Sequence, residues 1–200
     1  MLDFDSLLFN IDISSKVARP GSLLVAEPFL RDNYFSHSVI WLVDYAIGKS
    51  AMGIVLNHPT GYTLQQLLGE ITATEPIPVF CGGPMSCDRL YFVHTLGSII
   101  PEARHIGGDL YIGGNFADMI AYVNSGYPTA GHIRFFLGYS GWETGQLDEE
   151  LHKNVWAVAE IPDSSEALTS GGDPYWHSIV RSMGAPFRGW RYHPQNLHAN

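Results

Sequence analysis

Gly138-Tyr139-Ser140-Gly141-Trp142 comes nearest to a nucleophile motif in this chain. A nucleophile elbow, G-x-S-x-G, sets its serine on a sharp strand-to-helix turn, and it needs Gly where Trp142 stands. For Ser140 to act in a hydrolase or transferase, His94 would be its base and Asp88 the group that orients that base. Ser140 and Glu143 also have the S-x-x-E spacing of a capping box. That makes Ser140 a helix N-cap with no chemistry, and this is the preferred role. Asp88-Arg89 follows the turn formers Gly82-Gly83-Pro84. Arg89 would anchor an anion through its guanidinium fork, or the pair would fix the loop as an internal ion pair or turn cap. Asn57, before His58-Pro59, would hydrogen-bond a ligand or close a turn. Tyr139 and Trp142 would wall a pocket or join the core.

Other chemistry has less support. Gly48-Lys49-Ser50 lacks the upstream Gly of a P-loop, since Val43 stands there, and a strand follows it. No two of the nine histidines pair as H-x-x-x-H on an expected helix or sit beside C-x-x-C, so no metal site is expected. Cys81 and Cys87 read as two buried thiols more readily than as a redox pair. Asp148-Glu149-Glu150 reads as a solvated helix face.

These residues must be positioned by short elements. Leu23–Ala26, Val39–Val43, Met52–Leu56, Val79–Cys81, Leu90–His94, Leu110–Ile112, Ile133–Leu137 and Trp156–Ile161 are apolar runs of strand length. Thr63 and Gln66 predict a capped helix through Leu68. Asn115 caps a helix carrying Phe116, Met119, Ile120 and Val123, closed by Gly126. A helix after Ser140 carries Leu147 and Leu151 on one face. Asp173 and Pro174 open a last helix with Trp176, Ile179, Val180 and Met183 facing in. Residues 97–108 read as a connection and 164–172 as a polar linker. Strands in adjacent groups, without regular βαβ alternation, predict an α+β fold with a mainly antiparallel or mixed sheet. A single domain over 21–190 is expected, with an N-terminal arm over 1–20 and an exposed tail over 191–200.

Hydrophobic residues make up 46% of the 200 and charged ones 16%, a composition that can bury a core. The formal net charge of −9 opposes direct nucleic-acid binding and anionic membrane surfaces. Two cysteines do not make a secreted disulfide framework. Asp3 and Asp5 stand where a signal peptide carries Lys or Arg, and no apolar run reaches membrane-spanning length. A cytoplasmic protein is expected.

Taken together, GSLLVAEPFLRDNYFSHSVIWL, AMGIVLNHP, PVFCGGPMSCDRLYFVHTLG, LYIGGNF and IRFFLGYSGWETGQLDEEL followed by WAVA resemble the YqgE/AlgH family of bacterial proteins. The blocks run in order from Gly21 to Ala159, and the C-terminal helix and tail look like the form in Bacteroidetes-type members. The resemblance implies a bent sheet split into a barrel-like core with flanking helices. It carries over no catalytic residues, and one branch bears a transcriptional-regulator label. The chain departs from the family's usual pattern at His37 and His58, where Arg, or Arg or Lys, is commoner.

The reading that follows is a non-enzymatic binding or regulatory module with no cofactor. It would act through a small anionic ligand or a protein partner. Its site would gather Asn57, Asp88, Arg89, Tyr139, Ser140 and Trp142. The alternatives are a Ser140–His94 hydrolase or transferase and a transcriptional regulator, for which direct DNA contact is disfavoured.

Overall fold

In the computed structural model, which describes residues 17–32 and 34–192, the apolar runs become the inner strands of one curled sheet. The strands are β1 (Leu23–Ala26), β2 (Val39–Asp44), β3 (Ala51–Val55), β4 (Pro59–Thr63), β5 (Pro78–Cys81), β6 (Met85–His94), β7 (Arg104–Gly107), β8 (Leu110–Ile112), β9 (Ile133–Trp142) and β10 (Trp156–Ala159). The helices are α1 (Leu64–Leu67), α2 (Phe116–Asn124), α3 (Gln146–His152), α4 (Ser164–Thr169) and α5 (Gly172–Ser182), then a 3-10 helix, Ala185–Tyr192. The path β10-β1-β2-β3-β9-β6-β8-β7 is antiparallel throughout, while β5 joins β9 in parallel and pairs with β4. This is an α+β half-barrel in a single domain, as expected.

The sheet is covered on both faces, which is why its central strands read as unbroken apolar runs. Leu23, Val25, Trp41, Val43, Ile54 and Phe136 face inward with Trp176, Ile179, Val180 and Trp190 from α5 and the 3-10 helix. Leu24, Ile40, Leu42 and Val55 face outward under Leu147 of α3. Ile133 and Phe135 of β9 pack with Met119 and Val123 of α2.

β9 organises the rest. β6 lies along one edge of it, from Ile133 to Tyr139. Along the other edge β5 pairs with Phe135–Leu137 and β3 with Ser140–Trp142. At the seam between β5 and β3, Gly82 donates its N–H to Leu137 O (2.8 Å) and accepts from Val55 N–H (2.9 Å). The chain then crosses β9 to reach β6. A Cβ on Gly82 would land on the Gly138 carbonyl oxygen, and one on Gly83 on the Tyr139 backbone. Gly138 itself has φ +72°, and a Cβ there would run into the Gly83 and Met85 carbonyls. The curl ends where β7 meets β2: Arg104 donates to both carboxylate oxygens of Asp44, at 2.7 and 3.0 Å.

Several elements differ from the sequence reading. Ser140 is no helix N-cap: β9 continues through Trp142, and α3 starts at Gln146 after Gly145 in the left-handed conformation. The local cap is made by Gln146, whose Oε1 accepts from Glu143 N–H at 2.9 Å. Pairing of Gly53 and Met52 with Ser140 and Gly141 overrides the S-x-x-E signal. Residues 97–108 contain β7, and the supposed linker 164–172 contains α4. Asp163 caps α4, accepting from Ser165 N–H and Glu166 N–H. At the far end of α4, Arg134 donates to Ala167 O (3.0 Å) and also to Leu56 O (2.9 Å). Its guanidinium lies 3.9 Å over the Phe80 ring, and burial lowers its pKa to about 10. The last helix begins at Gly172, one residue before Asp173.

The acidic run is also not a free surface. Glu150 Oε2 accepts from both Trp142 Nε1 (2.8 Å) and Trp156 Nε1 (2.7 Å), and Asp148 accepts from Tyr45 OH (2.6 Å) and Gly48 N–H (2.7 Å). Glu149, paired with Lys153 at 3.6 Å, is solvated. The expected arm over 1–20 and the tail over 191–200 fall largely outside the described residues.

The glycine crossing generates a prediction. Gly83→Ala will cost about 3 kcal/mol or more, because backbone must move to admit the methyl group. Gly48→Ala has φ +68° but open space around it. It will cost about 1 kcal/mol, the left-handed penalty alone. Urea unfolding of both variants checks this, and equal losses would contradict the crossing.

Candidate functional site

The open mouth of the half-barrel holds a groove of about 590 Å³. Asp44 ends β2 and Met52 lies on β3; Met85, Arg89 and Tyr91 come from β6, and Tyr139 from β9. Ligands favour such mouths because the walls are preformed and the floor is apolar. Tyr91 and Tyr139 meet edge to face, ring centroids 5.9 Å apart. Met52 packs below them against the inner core, and Met85 stands at the rim, half exposed. Methionine is soft and unbranched, so this wall adapts to its occupant.

β6 brings Arg89 to the groove through an irregularity. Its register with β9 shifts between Met85 and Leu90, and Ser86 adopts φ +49°. A bulge re-aims the side chains that follow it. Arg89 is exposed and enters no ion pair among the described residues. The nearby Arg104 differs: Asp44 grips both its guanidinium nitrogens, and that bond raises its pKa. Arg89 is thus the cation left available to an incoming anion.

Of the six residues expected to converge, Arg89, Tyr139 and Trp142 line this groove. Trp142 is mostly buried, its indole N–H held by Glu150, so only part of it faces the groove. Asp88 is exposed on β6 and does not line the groove; nor does it pair with Arg89. Ser140 is fully buried, and its hydroxyl donates to Gly82 O at 3.3 Å, bracing the seam. Asn57 is a buried staple elsewhere: its Oδ1 accepts from Val39 N–H (2.8 Å), and its Nδ2 donates to His37 O (2.9 Å) and Gly172 O (3.1 Å).

The Ser140–His94 pair does not form. His94 is opposite Ile133, at the other end of β9 from Ser140. Seven residues of strand separate those positions, roughly 23 Å. His94 also has both ring nitrogens occupied: Nδ1 accepts from Leu96 N–H (3.0 Å) and Nε2 donates to Gly113 O (2.9 Å). Cys81 is half-buried and Cys87 exposed, not both buried as expected; both sulfurs lie 3.7 Å from Gly83 O. No group of three or more His, Cys, Asp or Glu among the described residues is arranged to hold a metal ion.

A second polar cluster was not expected. His37, in the left-handed conformation at φ +52°, lies 3.2 Å from Asp173 through Nδ1 and stacks on Trp176 at 4.5 Å. His58 Nε2 is 3.3 Å from the buried Ser38 hydroxyl, and His177 lies 6.2 Å from the His37 ring. Burial lowers the pKa of His58, partly offset by Asp173, and burial likewise lowers that of His177. Ser38 has no exposed surface, so no substrate reaches it. The cluster ties α5 to the entry of β2. No spacing rule links His37 to a residue 136 positions away; Asp173 before Pro174 is explained in the sequence by a helix start, which calls for no second partner.

The chain is similar to known proteins over most of its length. The model of the AlgH-like family matches residues 23–188. A UPF0301 protein of Parabacteroides distasonis is 38% identical over 194 residues, covering 96% of this chain and 97% of the relative. One from Bacteroides thetaiotaomicron is 35% identical, covering 97% of each. The crystal structure of a Corynebacterium diphtheriae protein shares the fold, with TM-score 0.73 at 21% identity over 94% of this chain and 99% of that one. The solution structure of AlgH from Pseudomonas aeruginosa has TM-score 0.66 at 27% identity, covering 85% and 93%.

Three histidines predict how stability depends on pH. His58, His94 and His177 all have pKa values lowered by burial, whereas the unfolded chain titrates them near ~6.5. Below that value the unfolded state binds more protons, so their contribution is intact above about pH 6.5 and lost as pH falls through their folded values. The urea midpoint will therefore fall between about pH 7 and pH 5, and His58→Gln will make the fall shallower. A midpoint constant over that range would contradict the assignment.

Proposed function

The chain belongs to the AlgH-like family, and from that membership we propose a non-enzymatic binding module whose ligand sits in the mouth of the half-barrel. The observation that carries this reading is Arg89. It is an exposed cation without an ion-pair partner among the described residues, on the wall of a groove floored by Tyr91 and Tyr139. A guanidinium fork recognises a carboxylate or phosphate with two parallel hydrogen bonds. Tyrosine faces and the flexible Met52 and Met85 accept an apolar or aromatic body. The ligand class is therefore a small anion with an apolar body, or the same chemistry on a partner's acidic side chain.

The competing readings have less behind them. A hydrolase would need Ser140 exposed and beside a base, and it is neither. Duplex DNA would need a basic surface, but the net charge is −9 and Asp44 and Glu143 line the same groove as Arg89. Regulation through a bound metabolite or a protein partner fits the same groove. No helix among the described residues is long and apolar enough to cross a membrane.

An NMR titration with benzoate and phenyl phosphate, and with benzamide as the neutral control, tests the reading. Both anions will shift the resonances of Met52, Met85 and Gly141, and benzamide will not. Arg89→Ala will weaken binding by about tenfold or more, since a hydrogen bond to a charged group is worth about 1.5–3 kcal/mol. Ser140→Ala will leave affinity unchanged while costing about 1 kcal/mol of stability. Anion binding that survives Arg89→Ala, or that maps away from the groove, would refute the site. An acidic peptide binding where the small anions fail would assign the groove to a protein partner.

A further inference from the structure

A second cavity, of about 450 Å³, opens between the loop before β5 and the chain that follows α2. It shares no lining residue with the barrel mouth. Side chains that spend their polar atoms on loop backbone pin its walls. Gln65 Nε2 donates to the carbonyls of Ala73 (3.1 Å) and Glu75 (2.7 Å), while its Oε1 accepts from Ile77 N–H (3.2 Å). Asn124 Oδ1 accepts from Thr72 N–H (2.8 Å), and its Nδ2 donates to Glu70 O (2.9 Å). On the opposite wall Tyr122 OH donates to Pro128 O (2.7 Å). A cavity whose loops are already tied needs little ordering when a ligand enters.

Its electrostatics have one sign. Glu75 is the one charged residue among those described that line it. The C-terminal end of α2 also reaches the cavity through Val123 and Asn124, and no basic residue stands in that helix's last turn. The carbonyl end of a helix carries partial negative charge. Tyr127 completes the set. It lines the cavity, is 66% exposed, and its ring stacks on Tyr122 at 5.9 Å. Aromatic faces attract cations. Ile77, Val123, Pro128 and Ala130 supply the apolar remainder.

We propose that this cavity binds a small organic cation, an ammonium head on an apolar body. The head lies between the Glu75 carboxylate and the Tyr127 ring, and the body lies against the Ile77, Val123 and Ala130 side. An anion would meet three repelling features there. A neutral apolar molecule would desolvate Glu75 with nothing in return.

The test titrates choline and benzyltrimethylammonium into the full chain, followed by methyl NMR. The uncharged twin of choline, 3,3-dimethyl-1-butanol, serves as control. Both cations will shift the methyl resonances of Ala73, Ile77, Val123 and Ala130, and the alcohol will bind about fivefold more weakly or not at all. Glu75→Gln will weaken choline binding about fivefold. Tyr127→Ala will weaken it about threefold, while Tyr127→Phe, which keeps the ring face, will preserve it. Both positions are exposed, so the variants' spectra will confirm an intact fold. Equal binding of choline and the alcohol overturns the proposal. So does an absence of shifts, or binding indifferent to Glu75→Gln and Tyr127→Ala.

Discussion

Main chain against main chain, with no side chain between, is the contact on which this structure depends. Gly82 and Gly83 lie on Gly138 and Tyr139 at a separation that excludes a Cβ on any of the three glycines. Because the crossing is that close, one strand can serve three partners. β5 and β3 share an edge of β9, the Gly82 amide and carbonyl stitch the gap between them, and the chain passes over to build β6 on the other edge. The groove inherits its geometry from the same place. Met85 emerges directly from the crossing, and Tyr139 is the residue the crossing rests on. Ser140, which looks like a reactive group in the sequence, reinforces it from beneath.

Charge is distributed by the same economy. A net charge of −9 suggests a surface of free carboxylates, but two of the three acids of α3 are tied down. Glu150 holds two indoles and Asp148 holds the β2–β3 hairpin by a tyrosine and a main-chain amide. Hydrogen bonds to a charged group contribute about 1.5–3 kcal/mol, against about 0–1 for an exposed pair such as Glu149–Lys153. Burial of the Tyr45 phenol, with its hydrogen bond to the Asp148 carboxylate, also pushes its pKa up to about 12. Arg134 is the converse: a buried cation satisfied by carbonyls and an aromatic face.

Elements whose signal is local were legible. Asn115 caps α2 by accepting from Asp118 N–H, and α1 starts after Thr63, as the residues indicate. The inner strands announce themselves as apolar runs because both faces are covered. Where the deciding partner is distant, sequence reading failed. Ser140 carries a cap signal, but its strand is extended by β3, some ninety positions earlier. β7 is short and half polar, and it exists because β8 and Asp44 hold it. α4 was legible in principle, since Asp163 and Glu166 have cap spacing, but the serines around them read as linker. For the site, the two-residue period of a strand separates what the sequence sets side by side. Tyr139 and Ser140 point to opposite faces of β9, so the ring reaches the groove while the Ser140 hydroxyl turns inward to Gly82 O.

The pairing of β1 with β10 sets a clock on how the chain folds. β1 lies between β2 and β10, with Leu23 opposite Ala159, and the entry of β2 is tied to α5 through His37 and Asp173. At synthesis rates of about 5–20 residues per second, the ribosome takes roughly 7 to 27 seconds between making β1 and making its outer neighbour. During that interval one hydrogen-bonding edge of β1 has no native partner, and the indole surface of Trp41 waits for a helix not yet translated. Non-local pairing of this kind is slow and exposes unpaired edges. A chain so arranged cannot complete this side of its sheet until β10 has left the ribosome.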